Sequence, residues 1–128
     1  MIVGGRIDEI EGKRLSDENM KGLSINITIE DVKADGENVE IAYTYTATYG
    51  DKLGHIKLKG TLLAKEDKKL VKDIKGEWEK NKKLPDSYAE SVLNVVNYSG
   101  SANGTLVARV LNLSAPLIPP RIQLSPKK

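Results

Sequence analysis

The sequence predicts an α+β fold: a four-stranded antiparallel sheet packed on one long and one shorter helix. Three observations carry this. Residues 2 to 64 hold runs of alternating apolar and polar side chains separated by short polar turns, the mark of successive antiparallel strands. After residue 66 the apolar spacing changes to that of helices. At 128 residues, the chain is the length of one domain with a real core, so 1–128 is read as a single unit.

The first strand lies within Ile2 to Leu15, where alternation is loose and Gly4, Gly5 and Gly12 predict a bend or bulge. A polar connection, Ser16 to Gly22, follows. From Leu23 to Val32 the pattern is clean: Leu23, Ile25, Ile27 and Ile29 share one side, and Ser24, Asn26, Thr28 and Glu30 share the other. After the turn at residues 34–38, Val39 to Tyr49 alternates again, with Ile41, Tyr43, Tyr45, Ala47 and Tyr49 on the Val39 side. The fourth strand, Ile56 to Ala64, sets Ile56, Leu58, Gly60 and Leu62 against Lys57, Lys59 and Thr61. Short turns make sequential strands antiparallel neighbours, with one dry and one wet face. The face carrying Leu23, Ile25, Ile27, Ile41, Tyr43, Leu58 and Leu62 is expected beneath the long helix.

Residues 66–83 predict a surface helix. Leu70, Ile74 and Trp78 recur four apart, acids open it and lysines close it, as the helix dipole favours. The long helix is expected over 87–113, opened by a Ser87–Glu90 capping box. One apolar or small stripe runs through Tyr88, Val92, Val95, Ser99, Ala102, Leu106 and Val110. A second runs through Ala89, Leu93, Val96, Gly100, Val107 and Leu111. Ser101, Thr105 and Arg109 fall on the polar side. The segment Ser99–Gly104 is a waist of poor helix formers. Because both stripes keep phase across it, the helix is expected to continue. The small residues Ser99, Gly100, Ala102 and Gly104 are then candidates for an oligomer contact. Residues 114–128, with Pro116, Pro119 and Pro120, form an extended tail.

Chemistry is scarce. His55 stands alone, cysteine is absent, and no Gly-x-Ser-x-Gly elbow or phosphate loop occurs, so no enzyme, metal site or cofactor is expected. The absence of cysteine and of a signal-like leader fits a cytoplasmic protein, and no apolar run is long enough to insert in a membrane. Lys and Arg number 20 against 18 Asp and Glu, too even a balance to point to nucleic acid. Many Lys and Glu with a single Gln lean toward a thermophile composition. Nucleic-acid association through a Lys-rich sheet edge (Lys57, Lys59) and helix is the alternative to polypeptide binding, though acids interrupt the lysines throughout.

In the strands Val39–Tyr49 and Ile56–Ala64, the helix from Ser87, and the Leu113-Ser114-Ala115-Pro116-Leu117 crossover, the chain resembles the SecB-like family. The resemblance implies the same antiparallel sheet on helices. It also implies a dimer or dimer of dimers that acts as a chaperone for unfolded, extended polypeptide held in apolar grooves. Lys127 and Lys128 stand where the family's acidic tail would serve an export role, so a toxin–antitoxin role is equally open. Tail residues Leu117, Ile118 and Ile122, with Tyr45 and Trp78 as neighbours, are the candidate peptide-binding residues.

Overall fold

The computed structural model describes residues 1–16, 22–50 and 53–116. Four strands, β1 (Ile2–Arg14), β2 (Leu23–Asp35), β3 (Asn38–Tyr49) and β4 (Gly54–Lys65), precede two helices, α1 (Lys68–Asn81) and α2 (Asp86–Leu111). The strands form one antiparallel sheet in the order β1-β4-β3-β2, so β3 and β4 are central and β1 and β2 are edges.

Register fixes the faces. Tyr43, Tyr45 and Ala47 pair with Ile29, Ile27 and Ile25 on one side and with Gly60, Leu58 and Ile56 on the other. All of these belong to the helix-covered face, as alternation predicts. Alternation breaks once in β2 and twice in β1. The register shifts between Ile29 and Asp31 in β2 and between Ile7 and Glu9 in β1. One bulged residue resets the phase, so Val32 joins Ile29, and Ile10 joins Ile7, on the helix side. Of the two irregularities in β1, the one between Ile2 and Gly4 falls beside the glycines where a bend is expected, and the one at Asp8 falls away from them.

Both bulged residues are acids, and both reach inward over the open face. The Asp8 carboxylate accepts from Thr61 at 2.8 Å and Glu30 accepts from Thr44 at 2.8 Å. These pairs satisfy the two threonine hydroxyls that the central strands bury. Arg6 adds a 2.8 Å bond to Asp8. Together the Thr61 and Arg6 bonds hold the Asp8 carboxyl below its usual range.

Helix α1 starts two residues later than expected. Asp67 lies in extended conformation and its side chain accepts from the Leu70 amide at 2.8 Å, a true N-cap. Lys82, in the left-handed region, ends it. Val71, Ile74 and Trp78 are its buried stripe, laid over β2.

Helix α2 runs unbroken through the Ser99–Gly104 waist for 26 residues. Its start corrects the capping-box expectation. Pro85 is the N-cap, no side chain caps the first turn, and Ser87 is exposed. Proline's fixed φ presets entry into the first turn, so the hydroxyl is not required. The buried face is also rotated from the expected one. Asn97 and Ser101 are buried, whereas Ala102, Leu106 and Val110 are exposed. The cause is the waist itself. A Cβ at Gly100 would overlap the Tyr45 ring, and one at Gly104 would lie 3.1 Å from Pro116 Cγ. The helix seats along the line where its backbone can touch Tyr45. That turns Ser101 inward, 3.3 Å from the Tyr45 hydroxyl. At the far end Asn112 closes the helix in the left-handed conformation. Arg14 of β1 donates at 2.8 Å to the Asn112 carbonyl and at 3.4 Å to that of Leu111, a cation on the negative end of the helix.

Candidate polypeptide-binding surface

The predicted groove residues divide sharply. Tyr45 has no exposed surface and Trp78 keeps only 9%. Tyr45 is the ring under the glycine waist, and Trp78 anchors α1, with Lys82 Nζ 5.8 Å from its ring centroid. Both are core, so neither offers a face to a ligand. Leu117, Ile118 and Ile122 lie outside the described residues. Of the candidate oligomer contacts, Gly100 and Gly104 are used within the chain, against Tyr45 and Pro116. Ser99 is half-buried and Ala102 exposed.

The path into the tail is informative. Leu113 lies within 3.5 Å of where a Gly54 side chain on β4 would stand. Ser114 accepts the Tyr49 hydroxyl of β3 at 2.5 Å. Pro116 is seated at Gly104 beside Tyr45. The segment therefore crosses the helix-side face from β4 onto β3.

On β2, the row facing this crossing is not sealed. Ile25, Ile27 and Ile29 are only half-buried, and Leu23 is exposed, although their paired partners Ala47, Tyr45 and Tyr43 on β3 are buried. Helix α1 covers the Val32–Ala34 end of the strand, and the Ser114–Pro116 crossing touches the Tyr49 end. Between them lies an apolar floor of three β-branched side chains beside an edge strand. On the outer edge of β2, main-chain N–H and C=O groups are unpaired in the ladder among the described residues. An isoleucine row was legible in the sequence. That it stays half-open was not, because this depends on how far α2 reaches across the sheet.

Burial shapes the polar groups here. Tyr49 is pushed up to about 12, first by burial and then by the adjacent Tyr45. Tyr43 and Tyr45 are raised by burial as well. Tyr88 is raised first by burial and then by the adjacent Glu66 carboxylate. These phenols are therefore neutral at physiological pH.

The other edge is apolar too. Val95, Ser99 and Asn103 of α2 line a cleft with Ile2, Gly5 and Ile7 of β1, about 360 Å³ in volume. One row further out on the helix, Tyr98, Ala102, Leu106 and Val110 are exposed, Val110 at 84%, as are Val3 and Ile10 of β1. The lysines of the open face are matched by acids. Glu9 stands 3.7 Å from Lys59, and Glu9 and Glu11 share a surface depression with Lys57 and Lys59. His55 pairs with Glu11 at 2.8 Å, and that bond, the largest cause, holds Glu11 below its usual range. This interleaving leaves little net field for a phosphate backbone. Among the described residues, no group of three metal-ligating side chains converges, and no helix is long and apolar enough to cross a membrane.

No family model matches the sequence, and no curated protein matches it. A solved structure does match: the Mycobacterium tuberculosis SecB-like chaperone Rv1957, in complex with a ChAD peptide from the Rv1956 HigA1 antitoxin. The match covers 98% of this chain and 88% of that one, at 14% identity and a TM-score of 0.54. The four-stranded antiparallel sheet with two helices is thus a SecB-like fold.

Proposed function

We propose that this protein is a non-enzymatic, chaperone-like module that holds apolar, extended polypeptide segments. The observation that carries the reading is the half-open Ile25–Ile27–Ile29 row beside the free edge of β2. An extended chain has what that surface lacks: main-chain groups to meet an unpaired strand edge, and side chains at a two-residue period to meet alternate isoleucines. The peptide-bound state of the similarly folded chaperone supports it. Leu117, Ile118 and Ile122 remain the proposed apolar contribution of the tail.

Self-association belongs to the same reading, but on the opposite edge. Val3 and Ile10 of β1 and Leu106 and Val110 of α2 are exposed apolar side chains on this side of the molecule, surface of the kind that marks contact sites. A second copy would cover it. The double substitution Ile10→Lys with Leu106→Lys should give a monomer by light scattering where the parent is a dimer. A monomeric parent at high micromolar concentration would remove this part of the proposal.

The functional test is suppression of aggregation of a chemically denatured client. The parent should suppress it. Ile25→Ser with Ile27→Ser, and separately Leu117→Ser with Ile118→Ser, should weaken the effect while circular dichroism stays unchanged. Equal activity of all three proteins would place binding elsewhere. No effect of the parent on several unrelated clients would end the holdase reading in favour of one specific protein partner.

A further inference from the structure

Helix α1 carries a second, differently built surface. It carries five lysines and three acids. Lys68, Lys72 and Lys75 fall on one flank, with Glu79 at its C-terminal end, while Asp73 and Glu77 share the other flank with Lys69 and Lys80. The lysine flank faces the β2–β3 turn across a notch of about 240 Å³, lined also by Val71, Ala34 and Gly36. Val71 is buried and Ala34 half-buried, so the notch has an apolar base under a cationic rim. Asp35 also lines the notch, yet none of the three lysines has an ion pair or hydrogen bond among the described residues. Three lysines to one acid, Asp35, around a concave apolar base differ from the open sheet face, where Glu9 and Glu11 sit against Lys57 and Lys59.

We propose that this notch docks a short acidic segment of a partner polypeptide, apart from the apolar row on β2. Charge complementarity selects the occupant. Lys68 to Lys75 spans seven residues, roughly 10 Å of helix, which suits two or three carboxylates on an extended chain. A longer phosphate backbone would run onto Glu37 beyond the notch or onto Glu79 at the end of the same flank. Exposed pairs are individually weak, so the notch steers and orients a partner rather than holding it tightly.

The test uses the full chain and a fluorescein-labelled octapeptide of alternating Glu and Leu, read by fluorescence anisotropy at low and high salt. Lys68→Glu with Lys72→Glu and Lys75→Glu should weaken binding by about tenfold or more. The neutral set Lys68→Gln with Lys72→Gln and Lys75→Gln should weaken it less. Lys69→Glu with Lys80→Glu, on the other flank, should leave it unchanged, and salt should weaken parent binding steeply. Equal losses in the two flank variants would overturn the proposal. So would equal binding of a Lys-Leu peptide, displacement of the acidic peptide by an oligonucleotide at lower concentration, or no binding by the parent. Client aggregation assays read the β2 row independently, so failure at the notch and failure of the holdase reading are distinguishable.

Discussion

Two neighbouring rows of the same sheet face have opposite fates. On β3, Tyr43, Tyr45 and Ala47 are sealed beneath α2. On β2, one strand away, their direct partners Ile29, Ile27 and Ile25 are half-open. The difference is not hydrophobicity, since isoleucine favours burial more than tyrosine does. It is reach. Gly100 lets the helix backbone lie directly on the Tyr45 ring, which draws α2 onto the central strands. The floor beyond is then only partly roofed, by α1 at one end and by the Ser114–Pro116 crossing at the other. The closeness of one contact creates the openness of the next.

The strongest way to break this contrast is to lift the helix. Gly100→Leu puts a branched side chain where Tyr45 already stands. Overpacking of this kind costs about 1–3 kcal/mol, and an aromatic ring pinned by the sheet beneath has little room to yield. The denaturant midpoint should fall sharply, whatever the oligomeric state. An unchanged midpoint would show that α2 does not rest on Tyr45.

A smaller effect is expected on the open side. Ile27→Ser removes a half-buried side chain, so the stability loss should be about 1 kcal/mol, well below that of Ile41→Ser in the sealed core. Equal losses at the two positions would mean that the β2 row is as enclosed as the β3 row.

The gentlest probe is alkali. The folded state holds Tyr49 at about 12 and raises Tyr43, Tyr45 and Tyr88, while the unfolded chain releases these protons near the ordinary value of 10. Between these values the native state binds more protons, so stability is intact below pH 10 and falls as pH rises toward 12. Tyr49→Phe should flatten that slope. A pH-independent denaturation midpoint across this window would contradict the burial of the phenols.

Much of the fold was legible in the residues. The isoleucine and tyrosine alternations marked the covered face, and the unbroken stripe phase carried α2 through its glycines. The rotation of α2 was not legible. Ser101 reads as a surface residue and Leu106 as core until Tyr45 is known to lie under Gly100, a contact 55 residues away in sequence. For the same reason, two of the small residues that suggested a partner helix, Gly100 and Gly104, lie against the chain's own Tyr45 and Pro116. The bulges left a fainter trace: Ile7 and Ile10, like Ile29 and Val32, stand three apart where alternation demands two or four. Tyr45 and Trp78 looked like groove residues because large aromatics suit both pockets and cores, and composition alone does not separate the two.

The central claim is that extended polypeptide lies on the half-open row of β2. Isoleucine methyl NMR with an unfolded client titrated into the full chain tests it most directly, because sealed and open isoleucines report in one spectrum. The account predicts that Ile25, Ile27 and Ile29 shift or broaden while Ile41, Ile56 and Ile74 stay in place. Perturbation confined to Ile7 and Ile10 on β1, with the β2 row silent, would contradict it.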